Sequence, residues 1–144
     1  MGVIPWSPLA GGWLTGRYRK GQDLPQSHRA QRIPQRYDMS LPGNQAKLEA
    51  ADALAQLAEE AGLTLIDMAL AFVLRHPAVT APIIGPRTME QLESQLGAAD
   101  VTLSDDVLDR IELALVVRVG QVKPFGEPPG ARGLLLAGVF APAA

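Results

Sequence analysis

Two short apolar runs, Gly2-Val3-Ile4-Pro5-Trp6 and Val79-Thr80-Ala81-Pro82-Ile83-Ile84, have the make-up of buried parallel strands. No third run of this kind stands out between or after them. Two strands neither close a barrel nor make a parallel sheet covered on both faces, and their free edges stay open to other chains. A chain that opens directly into such a strand is expected to be a piece of a larger α/β assembly.

The rest of the chain alternates between helix patterns and turn chemistry. Residues 13–43 hold Gly16, Gly21, Pro25, Pro34, Pro42 and Gly43 and show no period, so a long irregular loop is expected there. Asn44 is placed to cap a helix from about residue 45 to 61, with Leu48, Ala51, Leu54, Ala55, Leu57 and Ala58 on one face and Gly62 just past its end. Thr64 starts a second helix with Asp67 in its first turn; Leu65, Met68, Ala69, Phe72 and Val73 give its core face, and His76-Pro77 stops it. Thr88 caps a third helix to about Ala98, with Leu92 and Leu96 inward. Ser104-Asp105-Asp106 opens a fourth, carried by Val107, Leu108, Ile111 and Leu115. From about Val116 the pattern stops, and residues 116–144 are expected to form an irregular, poorly ordered tail.

Composition narrows the function classes. The net charge of −2 gives no footprint for nucleic acid or for an anionic membrane surface. Without cysteine there is no disulfide, no thiolate nucleophile and no cysteine metal site, and two separated histidines do not make a metal centre. The N-terminus lacks the charged and apolar regions of a signal peptide, and no apolar run is long enough to span a bilayer. A cytoplasmic protein is expected.

Chemistry concentrates in the two loops that follow the strand-like runs, where α/β proteins place their ligands. Ser7-Pro8-Leu9-Ala10-Gly11-Gly12 offers a hydroxyl, backbone N–H groups and two glycines that let the main chain approach a phosphate. Gly85-Pro86-Arg87-Thr88 ends a strand and starts a helix whose N-terminus attracts anions, and Arg87 adds a planar donor fork. Each loop also has a plainer reading. Ser-Pro and Gly-Gly are ordinary turn chemistry, Arg87 is a surface charge, and Thr88 is only a cap. The basic residues Arg17, Arg19, Lys20, Arg29, Arg32 and Arg36 either help to draw in an anion or are simply solvated.

The run from Val3 to Tyr18, with Trp6-Ser7-Pro8-Leu9-Ala10-Gly11-Gly12 at its centre, resembles the seventh strand and following loop of aldo-keto reductases. Pro82-Ile83-Ile84-Gly85-Pro86-Arg87-Thr88-Met89-Glu90-Gln91-Leu92-Glu93-Ser94-Gln95 resembles their eighth strand and cofactor-binding helix. The resemblance extends from about residue 2 to residue 113. It implies the last two strands and helices of a (β/α)8 TIM barrel over residues 1–115, with residues 116–144 outside the pattern. It implies NADP as cofactor, with Ser7, Leu9 and Gly11 along the pyrophosphate. Gly85, Arg87, Thr88, Gln91 and Gln95 would hold the adenosine end, Arg87 taking the 2′-phosphate. Gln95 departs from the family's usual Asn, which displaces its amide by a methylene.

The family's catalytic Asp, Tyr, Lys and His come from the first half of the barrel, and nothing in this chain matches their motifs. Tyr18, Tyr37, His28, Lys20 and Asp23 read as solvated loop residues, and His76 as a helix-end partner of the dipole. Three readings follow: an incomplete reductase that is inactive alone, a non-catalytic module that binds NADPH or pairs with a complementary chain, and a poorly folding remnant. A small carbonyl substrate enters only if the missing barrel half is supplied.

Overall fold

The structure is a computed structural model that describes residues 2–119, and side chains through Leu115. Five α-helices are present among the described residues: α1 (His28–Arg32), α2 (Pro42–Glu60), α3 (Leu65–Leu74), α4 (Met89–Leu96) and α5 (Asp105–Val119). Three 3-10 segments accompany them, Ala10–Thr15, Pro34–Arg36 and Gly97–Asp100. No helix among the described residues is long and apolar enough to cross a membrane. The expected irregular tail lies outside the described residues from residue 120 onward; the α5 backbone itself runs through Val119.

The core forms where α2 packs on α5, with α3 and the Ala10–Thr15 segment closing it. α3 is buried nearly all round: Leu70 and Ala71 join Leu65, Met68, Ala69, Phe72 and Val73 inside. A helix apolar on every side belongs in the centre of a structure, because its backbone polar groups are already paired internally.

Most helix ends follow local sequence logic. Gly62 takes φ +71 after α2; its N–H bonds Glu59 O, and Leu63 N–H bonds Ala58 O, the paired bonds of a Schellman end. Thr64 Oγ1 accepts the Asp67 N–H at 3.0 Å, and Ser104 Oγ accepts the Val107 N–H at 3.3 Å. His76 lies just past the end of α3, where its Nδ1 accepts the Ala78 N–H at 3.1 Å.

Three expectations about the helices and the long loop are corrected. Asn44 does not cap α2. The helix starts three residues earlier than expected, at Pro42, whose fixed φ suits the first helical position and which has no N–H to satisfy. Asn44 is buried in the first turn, and its Nδ2 donates to Gln35 O and Asp38 O, both at 2.9 Å. Leu96 is not inward but 58% exposed, since α4 tightens after it into the Gly97–Asp100 segment and Ala98 takes the buried position. Residues 13–43 are not one irregular loop. They contain α1 and the Pro34–Arg36 turn, and they bury Tyr18 and Tyr37 against Trp13.

The two apolar runs pair in parallel, yet only as isolated bridges, Val3 with Val79 and Trp6 with Ile83. Val3 N–H bonds Ala78 O at 2.7 Å, Thr80 N–H bonds Val3 O and Ile83 N–H bonds Pro5 O, both at 2.8 Å. Pro5 and Pro82 have no N–H to continue a ladder, and the second run has one more residue between the bridges than the first. Gly2 lies so close to the second run that a Cβ built on it would stand 1.9 Å from Thr80 Oγ1. The runs are not the buried strands expected: Ile4 is 59%, Trp6 72% and Ile83 55% exposed. Apolar composition marks a segment that buries well when covered, and among the described residues nothing covers these.

Candidate functional site

Because the two runs are parallel, the loops that follow them leave from the same end of the pair. Ser7-Pro8-Leu9-Ala10-Gly11-Gly12 turns with four positive φ angles: Ser7 at 57°, Ala10 at 52°, Gly11 at 72° and Gly12 at 107°. Ser7 and Ala10 hold a conformation that L residues rarely adopt, which costs on the order of 1–3 kcal/mol each and persists only where neighbours fix it. The fixing groups are visible. Ser7 O accepts the Ala10 N–H and Leu9 O accepts the Gly12 N–H, each at 2.8 Å, and Thr15 Oγ1 donates to Gly12 O at 2.7 Å.

Gly11 is held at both of its polar groups. Its N–H donates to Ser7 Oγ at 3.1 Å, and its carbonyl accepts from the Tyr37 hydroxyl at 2.8 Å. The Gly11 N–H is therefore engaged inside the loop, while the Ser7 hydroxyl, having accepted it, still has its own proton to give. A Cβ built at Gly11 falls 3.3 Å from Tyr37 Oη and 3.5 Å from Arg29 Nη1. Glycine is needed here both for its φ and for this approach, and Arg29 brings a guanidinium to the loop.

The second loop is more open. Gly85 and Arg87 are exposed, and Arg87 makes none of the ion pairs found among the described residues. Thr88, extended at φ −130, caps α4 by accepting the Gln91 N–H at 3.2 Å. Gln91 reaches back so that its Oε1 accepts the Arg87 N–H at 2.8 Å, a variant of the reciprocal capping box. Gln95 is buried, and its Nε2 donates to Gln91 O at 2.6 Å, one turn back on its own helix. The eight residues named from sequence thus fall into two groups, Ser7, Leu9 and Gly11 on one loop and Gly85, Arg87, Thr88, Gln91 and Gln95 around the start of α4.

Behind the first loop lies an aromatic cluster. Trp13 stands 4.5 Å from Tyr18 and 5.5 Å from Tyr37 between ring centroids, and the two tyrosines are 5.8 Å apart. An open cleft of about 380 Å³ runs beside it, walled by Leu24, Pro25, Ala30 and Pro34 with Tyr18 and Tyr37. Burial pushes both phenols above the ordinary range, and the Arg29 guanidinium only partly offsets this. They are proton-holding donors at neutral pH, not acids poised to give a proton up.

The basic loop also divides. Arg19 Nε meets Asp52 Oδ1 at 2.8 Å and its Nη1 meets Glu59 Oε1 at 2.6 Å, so this cation belongs to α2. Asp52 is buried although it is a carboxylate outside the apolar face of α2. It accepts from Arg19, from the Lys20 N–H and from Gln56 Nε2. The meeting of Tyr37 and Arg29 at Gly11, and the anchoring of Arg19 by Asp52, were not legible. The available signal was compositional: three of the seven aromatic residues fall inside one Gly/Pro-rich stretch, where solvated turns have little use for them.

The profile of the aldo/keto reductase family matches residues 1–115. The uncharacterised oxidoreductase YrpG of Bacillus subtilis is 39% identical over 108 residues, covering 75% of this chain and 30% of that protein. The L-glyceraldehyde 3-phosphate reductase of Escherichia coli is 33% identical over 115 residues, covering 78% of this chain and 33% of its own length. Among solved structures, a glycerol dehydrogenase from Gluconobacter oxydans superposes with a TM-score of 0.58 at 21% identity, covering 88% of this chain and 38% of that one; this likeness speaks to fold alone. The chain spans about a third of the length of these curated relatives.

Proposed function

The chain belongs to the aldo/keto reductase family, and we propose that it carries the phosphate-gripping section of an NADPH site, without carbonyl-reducing activity of its own. The observation that carries this reading is the pairing of the two runs, which sends the strained Ser7–Gly12 turn and the Arg87–Thr88 helix start out at the same end. The residues fit an anionic dinucleotide. A Cβ built at Gly12 or Gly85 meets nothing within 4 Å, which leaves open space over both backbones. Arg29 lies at the first loop and Arg87 at the second, two guanidiniums for phosphate oxygens.

In this reading the Ser7 hydroxyl and the backbone of Leu9 and Gly11 line the pyrophosphate. Gly85, Arg87, Thr88, Gln91 and Gln95 hold the adenosine end, with Arg87 on the 2′-phosphate and a preference for NADP over NAD. Gln95 contributes through its packing, since its amide is turned onto Gln91 O. NADPH, when bound, supplies the hydride. This chain binds and orients it, and a small carbonyl substrate and the proton donor come with the remaining strands of the barrel. Residues 1–115 form the cofactor-binding unit. The setting is cytoplasmic.

The exposed faces of Ile4, Trp6 and Ile83 favour a second reading, in which a complementary chain covers the pair and completes the barrel. One experiment separates the two. NADPH is titrated against the purified chain while Trp6 and Trp13 fluorescence is followed, alone and with a polypeptide carrying the other barrel strands. Saturable binding by the chain alone, weakened tenfold or more in Arg87→Ala for NADPH but not for NADH, supports the first reading. Binding only in the mixture supports the second. No binding in either sinks both.

A further inference from the structure

We infer that Tyr37 is a positioning residue, whose hydroxyl fixes the Ser7–Gly12 turn in its phosphate-receiving shape. This inference rests on the cofactor reading above and adds the group that makes the site competent.

The Tyr37 Oη donates to Gly11 O at 2.8 Å, across 26 residues of chain, from a ring that is 8% exposed. Its ring stacks on Trp13, which belongs to the same 3-10 segment as Gly11 and Gly12, and on Tyr18. The ring is thus fixed by packing while only its hydroxyl reaches the turn. On the other side of Gly11, the N–H is fixed by Ser7 Oγ. With both amide groups of that residue fixed, the peptides on either side cannot rotate freely. Strained φ angles at Ser7 and Ala10 give the turn a reason to relax once a restraint is removed. Burial keeps the phenol protonated, so the donor is present throughout the neutral range. Arg29 stands at the same spot, 3.5 Å from a Cβ built on Gly11, so a turn that relaxes also moves away from its cation.

The consequence is a population effect. Without the hydroxyl the turn spends part of its time in relaxed shapes, and apparent affinity falls by the fraction that remains competent. One neutral hydrogen bond sets that fraction, so a loss of roughly threefold to tenfold is expected.

The test compares Tyr37→Phe with Tyr18→Phe in NADPH and NADH titrations, alongside thermal unfolding and amide hydrogen exchange at Gly11 and Gly12. Phenylalanine keeps the stacked ring in both variants, and the Tyr18 hydroxyl is hydrogen-bonded with Ser27 whereas that of Tyr37 is bonded to Gly11. The expected result is a threefold to tenfold loss for Tyr37→Phe, equal for the two dinucleotides, faster exchange at Gly11 and Gly12, and no loss for Tyr18→Phe. Equal losses in both variants, tracking thermal stability, would make Tyr37 merely structural and overturn the inference. So would wild-type affinity and unchanged exchange in Tyr37→Phe. If the wild-type chain binds no dinucleotide, the cofactor reading itself falls and this role falls with it. That outcome is distinct from binding that ignores the substitution.

Discussion

Where α2, α3 and α5 meet, Leu54, Phe72, Leu108 and Ile111 are at most 1% exposed, whereas on the paired runs Ile4 and Trp6 lie mostly in solvent. The contrast follows from how the two kinds of element satisfy themselves. A helix pairs its backbone internally and needs neighbours only for one stripe or, as in α3, all round. An extended run needs partners on two edges and cover on two faces. Apolar side chains therefore produce a closed body in one region and an open one in the other. The candidate site spans the border, its first loop running into the buried Trp13 and Leu14 and its second, Gly85 to Thr88, lying largely exposed. Its order comes from polar ties to the body, above all Tyr37 to Gly11, and less from burial.

The sharpest way to break this contrast is to truncate one large side chain in each region. Phe72→Ala removes a fully buried ring from α3 and is expected to cost about 3–5 kcal/mol in denaturant unfolding. Ile4→Ala truncates an exposed aliphatic side chain and is expected to cost under about 0.5 kcal/mol. Comparable losses would mean that the open face contributes to the fold as the helices do.

A second, smaller effect tests how the basic stretch is tied down. Asp52 accepts three donors in a buried position, while Glu59, the other partner of Arg19, is largely exposed. Asp52→Ala leaves the Arg19 Nε and the Lys20 N–H without their acceptor and is expected to cost about 2 kcal/mol. Glu59→Ala should cost well under about 1 kcal/mol, because exposed ion pairs contribute little. Equal effects in chemical unfolding would place the anchor in simple charge attraction, and added salt would then erase both.

How far the sequence discloses these features depends on the range over which each is encoded. Thr64, Gly62, Thr88 and Ser104 mark helix ends because their partners lie within a few residues, and each was readable. The turn chemistry of residues 7–12 and the helix start at 85–88 were readable for the same reason; their role toward phosphate is the proposal made above. Tyr37 meets Gly11 across 26 residues and Arg19 meets Asp52 across 33, and no local pattern records such pairs. Asn44 looked like a cap because Asn is a good one. Pro42 pre-empted it by starting the helix earlier, which freed the Asn44 amide to clamp Gln35 and Asp38. The two runs read as buried strands, yet they pair only at isolated bridges and lie exposed, since pairing and burial both depend on what lies beside them.

The smallest expected effect concerns the aromatic cluster at the border of the two regions. Burial raises both the Tyr18 and Tyr37 phenols above their ordinary value of 10.0. The folded state then holds these protons more tightly than the unfolded chain, so their contribution to stability is complete below pH 10 and is lost as pH rises through the folded-state values. Lys47 works in the opposite sense, because burial and then the nearby Arg36 hold its ammonium below its usual range, so stability tied to it grows as pH rises. Comparing wild type with a Tyr18→Phe/Tyr37→Phe variant cancels Lys47, which both contain. Wild type should lose thermal stability more steeply than the double variant above pH 10, and the two curves should run parallel below it. Parallel curves throughout would mean that the cluster opens to water before the phenols titrate. The border would then belong with the open region and not with the helical body.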